Sequence, residues 1–253
     1  MQIAIITGAS SGMGKDFVKQ LDKQFNYDEI WVIARRKERL LELQNEVKAK
    51  LVPVALDLTD KESINVVKEK LENEKPTVKT LVNASGFGRF GAFCDISLEE
   101  QYEMIDLNQK ALIGMTYVTL PFMTKGSEIY QVDSLSSFQP VPYINVYGAT
   151  KAFVLSFSRS LNVELKKRKI KVLAVCPGWV KTEFFDRAVT DETITYYNKF
   201  WNSEDVVKLA LKDMRKGKDV SIMGLRTRIQ VFFTKLLPHR LVMYIWCRQQ
   251  KKL

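Results

Sequence analysis

Histidine and cysteine are scarce in this chain: 253 residues contain one histidine, His239, and three cysteines, Cys94, Cys176 and Cys247, far apart. A single histidine and no metal-ligand spacing argue against a zinc site, so no metal is expected. The same scarcity argues against a Ser-His-Asp hydrolase. An odd, scattered set of thiols predicts reduced cysteines and a cytosolic setting. Long apolar runs are also missing. The longest toward the C-terminus, Leu241 to Cys247, has seven residues, against the ~20 that a membrane-spanning helix needs. No basic leader precedes Ile3 to Ile6, which reads as a core strand and not as a signal peptide. Internal repeats and low-complexity linkers are lacking too. Finally, no aspartate or glutamate occurs from Val220 to Leu253.

That last absence locates the charge. The formal net charge is +10, and seven Lys or Arg (Arg226, Arg228, Lys235, Arg240, Arg248, Lys251, Lys252) lie in this acid-free tail, leaving +3 for the preceding residues. Such a distribution describes a local basic segment and not a nucleic-acid-binding face, so no nucleic acid is expected. With 46% hydrophobic residues, the chain is able to bury the core of one α/β domain.

Short β-branched runs alternate with helical periodicity: Gln2 to Ile6, Glu29 to Ile33, Leu51 to Leu56, Thr80 to Val82, Glu128 to Val132, Lys171 to Val175 and Asp219 to Ile222. Seven strands with helices between them predict a doubly wound, seven-stranded parallel sheet over residues 1–224. After the second strand, Leu40, Leu41, Leu43 and Val47 suggest one helix across Arg35 to Lys50. Residues 181–203, rich in aromatics (Phe184, Phe185, Tyr196, Tyr197, Phe200, Trp201), are too long for an ordinary connection and are expected to form a lid. Residues 225–253 are expected to form an amphipathic C-terminal extension.

Directly after the first strand stands Thr7-Gly8-Ala9-Ser10-Ser11-Gly12-Met13-Gly14, followed by a helix with Phe17, Val18 and Leu21 on one face. Gly8 suits a tight turn, Gly12 a close approach of backbone to a pyrophosphate, and Gly14 close helix–strand packing. This stretch resembles the nucleotide-binding motif of the short-chain dehydrogenase/reductase family, whose fold is Rossmann-like. The resemblance runs over roughly residues 1–182. It continues through Asp57 after the third strand, implied to lie near an adenine ring. It then reaches Asn83-Ala84-Ser85-Gly86 after the fourth, where the family has Asn-Asn-Ala-Gly.

An enzyme using NAD places an acid at the end of the second strand to accept both ribose hydroxyls. Here the sequence reads Ile33-Ala34-Arg35-Arg36. Ala34 removes the acid that would repel a 2′-phosphate, and Arg35 or Arg36 offers a guanidinium to bind it, which predicts NADP as cofactor.

Tyr147 and Lys151 are four apart on one helix face. Ser134 stands 13 residues before Tyr147, just after the fifth strand, and Pro177-Gly178 follows the sixth. With Asn108 these match the family's Asn-Ser-Tyr-Lys group. A Lys⁺ at ~4 Å and an effective dielectric of ~20 would lower a tyrosine by nearly three pKa units, toward a useful acid/base range. The resemblance further implies that Ser134 binds the substrate oxygen, that Lys151 also binds the nicotinamide ribose, and that Asn108 holds a water linking the lysine to solvent. It places Ser10, Ser11, Met13, Val180 and Thr182 at the cofactor as well, with Thr182 on the carboxamide. It also implies a homo-oligomer, dimer or tetramer.

Tyr143 and Phe138, with the aromatic lid, suggest an apolar wall for a lipophilic ketone, steroid or 3-oxoacyl compound. A nucleotide-binding sensor or scaffold without turnover is the alternative from another class. In the tail, Ile229, Phe232, Phe233, Leu236 and Leu237 form one stripe, interrupted by Pro238 before Leu241, Val242, Ile245 and Trp246. This stripe is expected to close over the cleft or a subunit interface. Peripheral contact with an anionic membrane is the second reading.

Overall fold

The computed structural model describes residues 1–252; Leu253, the last residue of the expected tail, lies outside the described residues. The strands of the main sheet are β1 (Gln2–Thr7), β2 (Glu29–Ala34), β3 (Lys50–Ala55), β4 (Thr77–Asn83), β5 (Met123–Val132) and β6 (Lys171–Val175). Short β7 (Trp179–Lys181) and β8 (Phe200–Asn202) pair separately, and β9 (Val220–Ser221) completes the set. The main sheet has order β3-β2-β1-β4-β5-β6-β9, and every pairing in it is parallel. This is the Rossmann-like α/β sheet expected from the strand pattern.

Period-two alternation divides the strands between two cores. Ala4, Ile6, Ile30 and Val32 face α1 (Gly12–Gln24), through Phe17, Val18 and Leu21, together with Val206, Val207 and Ala210. Ile3, Ile5, Trp31 and Ile33 face the other layer. That layer is built by α3 (Lys61–Glu74), α5 (Leu112–Thr119) and α6 (Asn145–Glu164), with α4 (Leu98–Ile105) packed against α6, whereas α2 (Lys37–Glu42) places Leu40 in the core on the α1 side. The chain continues with α7 (Phe184–Ala188), α8 (Ser203–Arg215), which carries Val206 to Ala210, α9 (Leu225–Leu236) and α10 (His239–Gln249). Sequence order reverses at β1, so the cleft forms beyond the carboxyl ends of β1 and β4, where such sheets bind ligands.

One expected helix is cut short, and the expected lid segment and tail acquire detail. The helix across Arg35 to Lys50 is only α2 and a 3₁₀ turn, Leu43–Glu46. Asp22 draws the chain away by accepting from the N–H groups of Lys48 and Ala49 at 3.0 and 2.8 Å. Leu41 of the expected stripe is exposed. The segment 181–203 contains α7 and β8, with β8 pairing in parallel with β7. In the tail, Pro238 separates α9 from α10 as expected, but the apolar stripe is turned outward. Val231 and Thr234 are the buried residues of α9, whereas Ile229, Phe232, Phe233 and Leu236 are exposed.

Candidate active site

The cleft encloses about 500 Å³, a size suited to small ligands. Its outer end is the glycine turn. Gly8 and Gly12 have φ of +66° and +51°, and a Cβ on Gly14 would stand 2.2 Å from the Gly8 carbonyl oxygen. The Thr7 hydroxyl accepts from the N–H groups of Ala84 and Ser85 at 3.0 and 3.1 Å, which docks the next loop against this turn. A Cβ on Gly8 would strike that loop at 2.8 Å. Helix α1 therefore starts with its amides bare. Ser11 makes no side-chain cap, and the first turn holds no acid. Free N–H groups and the positive end of a helix dipole suit a pyrophosphate.

Arg36 borders this cradle, donating to the Ser10 and Ser11 hydroxyls at 3.0 Å. It also pairs with Glu183 at 2.8 Å, and Glu183 takes Arg39 at 2.5 Å. Arg35 lies 3.6 Å from Asp57. Burial alone would raise Asp57, but the Thr59 N–H and hydroxyl together with Arg35 hold its carboxyl below the usual range. Glu183 and Arg39 were not expected from the sequence, because a salt bridge spanning more than 140 positions leaves no local pattern.

At the inner end, α6 carries Tyr147 and Lys151, both buried. The Ser134 hydroxyl lies beside the Tyr147 phenol and opposes the rise that burial imposes on it, while also accepting from the Ser136 N–H at 3.2 Å. The Lys151 amine stands 5.7 Å from the Tyr147 ring centre and donates to the Val132 carbonyl at 2.9 Å. Asn108 sits in a π-helical segment between α4 and α5, an irregularity frequent at functional sites. Its amide donates to Phe87 O and Thr150 Oγ1 at 2.9 and 3.0 Å, and its oxygen accepts from the Phe87 N–H at 3.1 Å. A Cβ on Gly86 would lie 2.9 Å from Asn108 Oδ1 and 3.6 Å from Lys151 Nζ. That glycine thus keeps open the space where the two side chains meet the cleft.

The electrostatics differ from the expected Tyr–Lys pair. Burial drives Tyr147 well above its ordinary value; Ser134 opposes this and a nearby Asp133 adds to it. Burial also lowers Lys151, against the opposing pull of Asp133 and Cys176. Asp133 is the member that sequence reading missed. It lines the cleft one residue before Ser134 and is 2% exposed. Its Oδ2 receives the Cys176 thiol at 3.3 Å, and its Oδ1 has no hydrogen-bond partner of normal geometry. Burial pushes its pKa up to about 7 despite Lys151 and Cys176.

Ser10, Ser11, Met13, Arg35, Arg36, Asp57, Pro177, Gly178, Val180 and Thr182 all line the cleft with Tyr147 and Lys151. Five expected residues do not: Asn108 and Ser134, which reach its lining through Phe87 and Tyr147, and Asn83, Tyr143 and Phe138. Asn83 turns its amide into the protein, donating to Thr116 and Gln131 at 3.1 and 2.9 Å, and Ala84 to Gly86 take its place. Tyr143 adopts φ +66° and places its ring under the Lys252 ammonium at 5.5 Å. Phe138 lies under Lys235 instead of on the cleft wall. The apolar wall is made by Phe87, Trp179, Phe184 and Phe185, with Phe184 5.5 Å from the Tyr147 ring.

A nucleotide cradle that leads to a buried Tyr-Lys pair with a half-buried serine beside it defines a reductase or dehydrogenase site. The family model for short chain dehydrogenase matches residues 2–193, and the chain belongs to the short-chain dehydrogenase/reductase family of oxidoreductases acting on CH–OH groups. It is 34% identical over 191 residues to sulfoacetaldehyde reductase 2 of Chromohalobacter salexigens, covering 72% of this chain and 74% of that protein. It is likewise 34% identical over 187 residues to the NADP-dependent 3-hydroxy acid dehydrogenase YdfG of Escherichia coli, with 72% and 74% covered. Among solved structures, a short-chain dehydrogenase from Sphingobium yanoikuyae in complex with NADPH superimposes with TM-score 0.79 at 27% identity, covering 93% and 94% of the two chains.

Proposed function

We propose that this chain is an NADP(H)-dependent oxidoreductase that interconverts a ketone and a secondary alcohol. The observation that carries the reading is one continuous cleft with Arg36 and a bare helix terminus at one end and Tyr147 and Lys151 at the other, with the Ser134 hydroxyl beside the Tyr147 phenol. The glycine turn leaves backbone room for a pyrophosphate, and a guanidinium stands at the end of β2 where an NAD enzyme would carry an acid. Relatives named as NADP-dependent, or solved with NADPH, support the same cofactor. Gly8, Ser10, Ser11, Gly12, Met13 and Gly14 would hold the phosphates, Arg36 the 2′-phosphate, Asp57 the adenine side, and Pro177, Gly178, Val180 and Thr182 the nicotinamide side. When bound, NADPH supplies the hydride.

The chain's own residues then handle the proton and the geometry. The Ser134 and Tyr147 hydroxyls donate to the substrate carbonyl oxygen. Tyr147 Oη passes its proton to that oxygen as the carbonyl carbon is reduced, and takes it back in the reverse direction. The raised phenol pKa keeps Tyr147 protonated at neutral pH, the form that reduction requires. Lys151 holds the ribose and supplies positive charge beside the phenol, and Asn108 fixes the loop at Phe87 and a water path to the lysine. The aromatic wall around Tyr147 excludes water and favours a lipophilic ketone, such as a steroid or 3-oxoacyl compound.

A second reading of the substrate rests on Arg187, which lines the cleft 3.4 Å from the Phe87 ring centre and pairs with Glu103 at 2.6 Å, so that a substrate anion would share or displace that carboxylate. A guanidinium there suits a small carboxylate or sulfonate, in keeping with the names of two relatives. The test follows NADPH absorbance with bulky apolar ketones, 3-oxoacyl thioesters and 3-oxo acids. Turnover with the bulky apolar ketones or the thioesters supports the lipophilic reading, and turnover with the 3-oxo acids alone supports the anionic one. Tight NADPH binding without turnover of any carbonyl would instead mark a non-catalytic sensor.

A further inference from the structure

We infer that the face formed by α9 and α10 is a docking surface for an anionic phospholipid bilayer. Leu225, Ile229, Phe232, Phe233 and Leu236 are all exposed, Leu225 by 73% and Phe232 by 60%. At 3.6 residues per turn these five occupy an arc of roughly 100°, and the buried Val231 and Thr234 lie on the opposite side of the helix. Arg226 borders one edge of the arc, and Arg228 and Lys235 border the other. Helix α10 adds Leu241, Tyr244 and Ile245, all exposed, with Arg248 on the same side, while Val242 is buried.

An apolar strip of this size needs a cover, and its borders select one. A second copy related by a two-fold axis would bring the same patch against itself. From Val220 to Leu253 there are seven Lys or Arg and no acid, so self-contact sets cation against cation with nothing in the patch to neutralise them. Anionic lipid meets both requirements: acyl chains accept the apolar arc, and headgroups accept the flanking cations. Helix α10 is anchored to segments next to the aromatic wall of the cleft. Trp246 Nε1 donates to Pro142 O at 3.0 Å, and Gln250 binds the backbone of Thr195 and Tyr196 in the 181–203 segment. Docking would hold the enzyme at the phase in which a lipophilic ketone is concentrated.

The inference stands without turnover and is tested without it. The full chain, loaded with NADPH, is sedimented with vesicles of phosphatidylcholine alone or mixed with phosphatidylglycerol, at low and high salt. Association with the anionic vesicles at low salt is expected, falling at least about tenfold at high salt or on pure phosphatidylcholine. Phe232→Ser/Phe233→Ser and, separately, Arg226→Glu/Arg240→Glu should each reduce it by about as much while NADPH affinity and thermal midpoint stay unchanged. Protein that stays in the supernatant with anionic vesicles at low salt would overturn the inference. So would variants that sediment like the native chain, or a dimer in light scattering that Phe232→Ser/Phe233→Ser splits into monomers.

Discussion

Arg36 and Glu183 form an ion pair at 2.8 Å on the rim of the nucleotide cradle, 147 residues apart in sequence. The guanidinium proposed for the 2′-phosphate thus already carries a carboxylate, which also takes Arg39. Both arginines hold Glu183 below its usual range, so it is an anion at neutral pH and competes with the phosphate. Arg36→Ala should weaken NADPH binding by roughly tenfold to a hundredfold, the range for a charge-assisted hydrogen bond to phosphate, and leave NADH nearly unaffected. Glu183→Gln should tighten NADPH several-fold. Fluorescence titration with both nucleotides checks the pair; equal losses for NADPH and NADH in Arg36→Ala would remove Arg36 from that role.

Tyr147 is buried among Phe90, Phe184 and the Ser134 hydroxyl. Removing its oxygen takes away the proton donor without opening a cavity in the nucleotide cradle. Tyr147→Phe should lower kcat by roughly a hundredfold to ten-thousandfold, with NADPH affinity within about twofold of native. Stopped-flow reduction under single-turnover conditions separates the chemical step from release, and substantial residual chemistry would point to another acid.

Two glycines give opposite expectations. A Cβ on Gly14 would fall 2.2 Å from Gly8 O, a backbone atom with no room to move, so Gly14→Ala should distort the turn and abolish NADPH binding. On Gly148, inside α6, the nearest atoms are at 3.9 Å, which is ordinary contact. Alanine there gains helix propensity, and Gly148→Ala should stabilise the fold by about 0.5–1 kcal/mol. Thermal unfolding and nucleotide titration of both variants distinguish the positions.

The parallel sheet was legible because its strands are β-branched runs of fixed period, and burial on both faces leaves such runs unmistakable from Ile3 to Val175. The glycine turn and the Ser134, Tyr147, Lys151 spacing were legible because each is local or tied to a strand end. What escaped depends on contacts between distant segments. Asn83 sits at a strand end, where a one-residue difference decides which face a side chain meets, and it found Gln131 rather than the cleft. Leu41 belonged to an expected stripe, but Asp22 captured the following amides and shortened the helix. The moment of α9 was evident, yet periodicity names an apolar side without saying whether protein lies against it.

Asp133 supplies the pH dependence of stability. Its carboxyl is raised from 3.8 to about 7, chiefly by burial. The folded state therefore holds a proton that the unfolded chain releases, and this group makes stability fall as pH rises from about 4 to about 7. The sign is opposite to that of a paired surface carboxylate such as Glu183, whose lowered pKa adds stability as pH rises out of the acid range. A move from 3.8 to about 7 corresponds to at most ~4 kcal/mol. Asp133→Asn keeps the shape and removes the ionisation. Its stability relative to native should be near zero at pH 4 and become increasingly favourable toward pH 7, offset in part by loss of the favourable interaction with Lys151. Urea unfolding of the two proteins across this interval measures the difference directly, with Glu183 and every other carboxylate common to both. A difference independent of pH would mean that Asp133 is already ionised at pH 4 and that Lys151, not burial, governs its charge.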